Sequence, residues 1–199
     1  TLPSMGTFLF VKWVQPCSQT DPTSLKIHVK KLVDDLEREL SLYQASSKLS
    51  QLNKKGHVNN ISEDFEKLLR LSLRSYDRTD GYFNIAVQPV LSAMKQKAAG
   101  FKGFAPREKD HFRSLLNVSN IHIQPSEIAF SRPGMAITLD GVAKGYAVDR
   151  VGEVFISKGY DRVFINFSGN IKALGDDLQG PGWAMAIKNY KTKQTLIKS

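Results

Sequence analysis

The sequence predicts an α+β fold, and three features of it do so. Apolar residues at helical spacing dominate the first half, as in Leu25, Val29, Leu32, Leu36 and Leu40. Short runs rich in β-branched and aromatic residues gather in the second half, as in "DRVFINF" at 161–167. Helices and strands thus come in separate runs rather than strict alternation, which disfavours a doubly wound parallel sheet.

In chain order, "MGTFLFVKWV" at 5–14 reads as a strand bounded by Pro3 and Pro16. The stripe from Leu25 to Leu40, spaced 4, 3, 4 and 4, makes one face of a long helix with Ser24 or Thr23 as its cap. "SLYQASSKLSQLN" at 41–53 is polar and reads as irregular chain or short helical turns. Ser62-Glu63-Asp64 opens a second helix, the hydroxyl capping free N–H groups and the acids matching the positive helix end. Phe65, Leu68, Leu69, Ser72 and Tyr76 continue it, and Asp80-Gly81 marks a turn. Residues 87–98 form another helix, with Pro89 tolerated only in the first turn, where a missing N–H does no harm.

Residues 100–106 read as a glycine-containing loop and 106–116 as a short helix. Residues 120–124, 127–131 and 135–139 read as a small antiparallel meander. A helix from Gly141 to Ser157 follows, burying Ala143, Ala147, Val151, Val154 and Phe155. Three more strands are expected at 161–167, 170–176 and 183–189. No repeat, low-complexity tract or linker interrupts the chain, whose length suits one domain or two small ones.

Composition narrows the function classes. At 41% hydrophobic and 24% charged residues the chain is an ordinary globular sequence. No apolar run reaches the length of a transmembrane helix; the residues from Thr1 onward do not read as a signal peptide, and a numbering that begins after a removed export signal is equally in keeping with that. One cysteine, Cys17, excludes an internal disulfide and a cysteine-based metal cluster, and it reads as chemically unimportant. The net charge of +9 favours anionic partners, yet the basic residues are scattered and no nucleic-acid motif accompanies them. His28, His57, His111 and His122 lack metal-ligand spacing and read as structural or surface residues. No G-x-S-x-G elbow, P-loop or G-x-G-x-x-G fingerprint is present.

The stretch "ITLDGVAKGYAVD" at 137–149 carries the most chemistry. A helix start offers unpaired N–H groups and partial positive charge, glycines permit close approach, and Lys144 adds a full charge in the first turn. Such a start suits a phosphate. Taken alone, the same residues suit a plain strand-to-helix turn with a solvent-facing lysine better. Asp140 falls at the expected N-cap; a magnesium ion, which prefers oxygen ligands, would be its other use. "INFSGNIKALG" at 165–175 reads as a hairpin with Gly169 at positive φ, or as a turn bringing backbone close to a ligand.

Taken together and in order, these segments resemble the ApbE family, FAD:protein FMN transferases long called thiamine biosynthesis lipoproteins. "MGT" at 5–7 opens the match, and "SLYQASSKLSQLN" resembles the family's S-x-[YW]-x-x-x-S-x-[LI]-S-x-[LI]-N. "TDGYFNIAVQPVL" at 79–91 resembles T-x-G-x-F-D-x-T-V-x-P-L. "ITLDGVAKGYAVDRV" resembles D-L-G-[GA]-[IV]-A-K-G-Y-A-V-D, and "INFSGNIKALG" with the later "WAMAI" resembles N-x-G-G-[DN]-I-x-x-x-G and W-x-[VI]-x-I.

The resemblance implies a single domain over residues 1–199 with a T-fold-like α+β architecture, mixed and antiparallel sheets, packed helices and FAD in a cleft between layers. It implies Mg2+-dependent transfer of FMN from FAD to a Thr or Ser hydroxyl of a target protein, with AMP released. Some members instead hydrolyse FAD. Met5 would line the adenine or flavin pocket, Tyr43 would stack on FAD, and Asn53 would sit near it. Tyr82, Phe83 and Asn84 would contact FAD, as would Thr138 at the family's acidic position. The Gly141 carbonyl would coordinate Mg2+, and Lys144 would face the cofactor; the catalytic residue is not identified.

The resemblance further implies flavin-accepting partners such as subunits of membrane redox complexes, and a periplasmic location with a lipid anchor to the inner membrane. Four positions depart from the family pattern: Asn84 for Asp, Ala86 for Thr, Thr138 for Asp and Ser168 for Gly. The family's later motifs, which carry its metal-ligating Asp and Thr, have no counterpart before Ser199, so the expected domain is C-terminally incomplete. Those departures keep two alternatives in view, a degenerate FAD-binding module and an FAD pyrophosphatase without transferase activity. A basic binder of nucleic acid or anionic lipid is a third reading, carried by charge alone.

Overall fold

A computed structural model of the chain describes residues 1–16, 22–97, 101–188, 191–192 and 195–198, with backbone alone for 187–188 and 195–198. Cys17 and residue 100 of the expected loop lie outside the described residues. The chain divides into two units, Thr1–Asp34 with Lys144–Ser199, and Asp35–Ala143.

In the first unit, β1 (Leu2–Ser4) and β2 (Thr7–Trp13) pair antiparallel with Ser4 opposite Thr7. The expected strand over 5–14 is therefore broken at its start. Met5 and Gly6 both take positive φ, 48° and 71°, and close a two-residue hairpin, the backbone hand that matches strand twist. The sheet continues through β6 (Val163–Phe167) and β7 (Asn170–Leu174) in the order β1-β2-β6-β7, every neighbour antiparallel.

Helix α1 (Thr23–Leu40) spans the unit boundary and contributes Leu25, Val29 and Val33 to this core, together with Leu9, Val163, Ile165 and Phe167. Val33, not the expected Leu32, is the buried residue, because a 3.6-residue turn carries the stripe one position on. Thr23 and Ser24 already belong to the helix, so neither is the residue outside it. Helix α6 (Ala143–Ser157) lays Ala147, Val151 and Phe155 into the same core, the Phe155 ring 5.6 Å from that of Trp13. Each such fully buried large side chain contributes about 1.5–3 kcal/mol. The strand expected at 183–189 is shorter, β8 (Ala186–Lys188), and it pairs with a strand the sequence reading missed, β9 (Thr195–Lys198).

In the second unit, the polar stretch ends in a short helix, α2 (Lys48–Lys55), the helical one of its two expected forms. Ser47 caps it by accepting from the Ser50 N–H at 3.0 Å, and Leu49 and Leu52 are fully buried. Helix α3 (Glu63–Arg78) starts as expected, the Ser62 hydroxyl accepting from the Phe65 N–H at 3.1 Å. A single 3-10 turn at Ile85–Val87 leads into α4 (Gln88–Gln96), and α5 (Pro106–Leu115) follows the loop.

The expected meander is corrected. β4 (Ile121–Gln124) and β5 (Glu127–Phe130) form its hairpin, but the third strand is β3 (His57–Asn59), in the order β3-β5-β4. Residues 135–139 form no strand; they meet a side chain and one carbonyl instead of a neighbouring ladder. Among the described residues, no helix is long and apolar enough to cross a membrane.

Candidate functional site

Met135, Ile137 and Leu139 of the second unit are buried, so this extended segment is held by its apolar side chains. Its backbone is held by two other elements. The Asn53 side chain of α2 accepts from the Ile137 N–H at 2.8 Å and donates to the Ile137 carbonyl at 2.8 Å. The Thr138 N–H donates to the Ile85 carbonyl at 2.8 Å. The Thr138 hydroxyl accepts from the Asp140 N–H at 3.2 Å, and the Leu139 carbonyl accepts from Val142 and Ala143 at 2.9 and 2.8 Å.

Those last bonds set where α6 begins. The helix starts at Ala143, two residues after the expected Gly141. Asp140 is consequently too far upstream to be its N-cap; it sits exposed in the turn beside exposed Gly141. A side chain added at Gly141 would approach the Phe83 ring to 3.5 Å, so Phe83 lies against this turn. Asp140 and the Gly141 carbonyl are oxygen donors on an accessible turn, the donor type that a hard cation such as Mg2+ takes. Among the described residues no group of three or more His, Cys, Asp and Glu is placed to hold a metal.

Three further candidates belong to this unit. Asp80 and Gly81 turn the chain after α3 at positive φ, and Tyr82 projects with 95% of its surface exposed. Tyr43 is 82% exposed, carried on a loop whose backbone is tied down by the Ser41 hydroxyl, which accepts from Tyr43 and Gln44 at 3.1 and 3.2 Å. Both rings have the free faces that stacking requires. Asn84 has both ends engaged. Its Oδ1 accepts from Ala86 at 2.8 Å, and its Nδ2 donates to the Leu116 carbonyl at 2.9 Å. A carboxylate could make only the first bond, which gives Asn rather than Asp a local reason at this position.

The first unit holds Lys144, Met5 and the "NFSGN" turn. Lys144 is half-buried in the first turn of α6. Ser168 and Gly169, at φ 50° and 91°, close the β6–β7 hairpin as expected, with Asn166 Oδ1 accepting from the Gly169 N–H at 2.9 Å. The Thr7 and Ser168 hydroxyls bond each other, so the Met5-Gly6 and Ser168-Gly169 hairpins neighbour one another at one end of this sheet. The start of α6 reaches the same end, a Cβ at Gly145 falling 3.8 Å from Asn170 Oδ1.

The structure thus groups Asn53, Phe83, Thr138 and Gly141 in one unit through a chain of contacts, and Met5, Ser168 and Lys144 near one sheet end in the other. The four histidines are exposed. Sequence reasoning missed the Ile85 carbonyl and the Thr7 hydroxyl as partners of these segments. One signal for the Asn53 clamp was available: asparagine is a poor helix former, and here it follows a buried leucine inside a helix.

Comparison with known proteins places this geometry among relatives. The FAD:protein FMN transferase of Haemophilus influenzae is 26% identical over 200 residues, covering 95% of this chain and 58% of its own. That of Vibrio cholerae is 21% identical, covering 98% of this chain and 60% of its own. The chain therefore spans a little under two thirds of the length of these relatives. The solved structure of the flavin transferase ApbE from Vibrio cholerae superposes with a TM-score of 0.82 at 21% identity, over 99% of this chain and 65% of that one. The Pseudomonas stutzeri flavinyl transferase ApbE, apo form, gives 0.81 over 94% and 60%. These likenesses establish the α+β fold of ApbE structures. The ApbE family model matches residues 5–199, and the chain belongs to the ApbE family.

Proposed function

We propose that the chain provides the flavin-dinucleotide site of an FAD:protein FMN transferase. The observation that carries this reading is the 137–143 segment. Its buried residues Ile137–Leu139 are locked by hydrogen bonds, Asp140 and Gly141 reach the surface as a turn, and the chain then opens into a helix whose first turn carries Lys144. Helix N–H groups and an ammonium group suit a diphosphate. The exposed Tyr43 and Tyr82 rings offer stacking faces for the aromatic ends of FAD.

In the proposed reaction the hydroxyl oxygen of a target Thr or Ser forms a bond to the FMN phosphorus. The bond from that phosphorus to the bridging oxygen breaks, AMP leaves with that oxygen, and the hydroxyl proton passes to solvent. Positioning and neutralisation of phosphate charge do most of the work in such transfers. Lys144 would neutralise phosphate charge, and the α6 N–H groups would donate to its oxygens. The Gly141 carbonyl, with Asp140 beside it, would be a ligand of Mg2+, which supplies Lewis-acid stabilisation of the diphosphate. The proposal extends to a flavin-accepting protein in a membrane redox complex as partner, and to a lipid-anchored periplasmic location.

The test is incubation of the chain with FAD, Mg2+ and a flavin-acceptor domain, followed by in-gel flavin fluorescence and intact mass of the acceptor. A fluorescent acceptor heavier by one FMN is the expected result. AMP release without labelling would instead assign FAD hydrolysis, and FAD binding without AMP a binding module. No binding of FAD at all defeats the reading.

A further inference from the structure

Asn53 carries an inference about how the turn is set. Its primary amide has one acceptor oxygen and two N–H donors at fixed separation. The structure uses the oxygen and one donor on a single residue, Ile137, 84 positions later in the chain. This is the bonding a neighbouring strand would give, supplied by one side chain. Ile137 has no exposed surface, so water cannot replace either bond.

The bonds beyond Ile137 run directly to the turn. Thr138 is fixed by the Ile85 carbonyl, its hydroxyl takes the Asp140 N–H, and Leu139 takes Val142 and Ala143. Asn53 itself stands on a rigid element, since α2 is capped at both ends by Ser47 and Gly56 and anchored by fully buried Leu49 and Leu52. Because 135–139 has no ladder, a displacement at Ile137 is opposed on its way to Asp140 and Gly141 by the Thr138–Ile85 bond and by the packing of Leu139, rather than by a row of strand bonds.

We infer that Asn53 is a positioning residue for the Thr138–Gly141 turn, presenting the Asp140 and Gly141 oxygens to a cation-bound diphosphate without itself touching the flavin. The ligand half of this inference rests on the flavin-transfer reading; the clamp half does not. Only an asparagine amide fits the geometry. Aspartate keeps the acceptor but sets a carboxylate against the Ile137 carbonyl, glutamine displaces both groups by one methylene, and alanine removes both.

The experiment uses the whole chain as wild type, Asn53→Asp, Asn53→Gln and Asn53→Ala. Ser47→Ala serves as a control that weakens the same helix without touching Ile137. Hydrogen–deuterium exchange without ligand reads the clamp: exchange over 136–143 should rise about tenfold in the Asn53 variants and clearly less in Ser47→Ala, which loosens the helix but keeps both Ile137 bonds. Unchanged exchange in the Asn53 variants overturns the inference. Flavin fluorescence quenching by FAD, with Mg2+ titrated or with EDTA, reads the consequence. The Mg2+ concentration for half-saturation should rise about tenfold in Asn53→Asp, as for groups that orient metal ligands, with FAD affinity in EDTA unchanged. Lost affinity in EDTA with an unchanged Mg2+ requirement overturns the inference and makes Asn53 a flavin contact. If the wild type binds no FAD under either condition, the flavin reading fails, and with it the ligand half, while the exchange arm still decides the clamp.

Discussion

Two glycine-bearing turns attract attention in this sequence, "NFSGN" in one unit and "TLDG" in the other, and they are held in opposite ways. The Ser168-Gly169 turn is built mainly from local parts, with a hydroxyl contact to Thr7 added at its side. Five paired residues of β6 and β7 lead into and out of it, Asn166 bonds Gly169 three positions on, and the positive φ angles complete it. The Thr138–Gly141 turn has no ladder behind it. Its place depends on one amide 84 residues away and on the Ile85 carbonyl. A local turn tolerates distant change, because its partners travel with it. A turn clamped from afar inherits the position of whatever clamps it.

Breaking the long-range clamp should have the largest effect. Asn53→Ala leaves a buried N–H and a buried carbonyl of Ile137 unpaired and should cost about 2–4 kcal/mol, seen as a lower urea midpoint at unchanged slope. Asn84→Asp tests the same idea at a second side chain that bridges distant segments. It keeps the Ala86 bond, orphans the Leu116 carbonyl and should cost about 1–3 kcal/mol by the same measurement.

The local turn should be sensitive chiefly at its own residues and, beyond them, at Thr7, whose hydroxyl bonds that of Ser168. Gly169→Ala places a Cβ in a left-handed conformation with no other atom within 4 Å, so strain alone acts, about 1–2 kcal/mol. Hydrogen exchange over 136–143 should not change in that variant. Thr138→Val removes the acceptor for Asp140 while keeping shape, and should cost about 0.5–1.5 kcal/mol with faster exchange confined to residues after 138.

The smallest effect separates charged from uncharged devices. Glu108 accepts from Lys97 at 2.5 Å and from the Ala105 N–H at 2.9 Å at the start of α5, and the lysine bond first, then the amide, holds its carboxyl below the ordinary glutamate range. A depressed folded-state pKa gives stability that is present above the unfolded pKa and lost as pH falls through the folded one. An acid titration of stability should therefore lose a small step on Glu108→Gln. The bonds that hold Ile137 and Thr138 involve amide, hydroxyl and backbone groups, so exchange over 136–143 should show no matching step.

Much of this was legible beforehand, for local reasons. Ser62 with its acids, Asp80-Gly81 and Gly169 each act within four residues, and the structure places them as expected. The polar stretch leaves helical turns and irregular chain both open, because Ser47, Leu49 and Leu52 are too few to show a period, although they suffice for a short buried helix. Residues 135–139 look like a strand because their apolar residues alternate in the sequence, yet Ile137, Thr138 and Leu139 are all buried, and burial alone does not supply a neighbouring strand. Asp140 looked like a cap because the helix start was read from its glycine, whereas hydrogen bonds to Leu139 place it at Ala143.

The sequence by itself determined the α+β class, the family, the capped helices and the tight hairpins, since each rests on spacing or on backbone preferences that act between near neighbours. Tertiary structure alone decided that β3 completes the small sheet, that Asn84 spends its amide on Leu116, and that Asn53 holds Ile137. Each of those joins groups separated by 32 or more positions, and no local preference records which distant carbonyl a buried amide will meet.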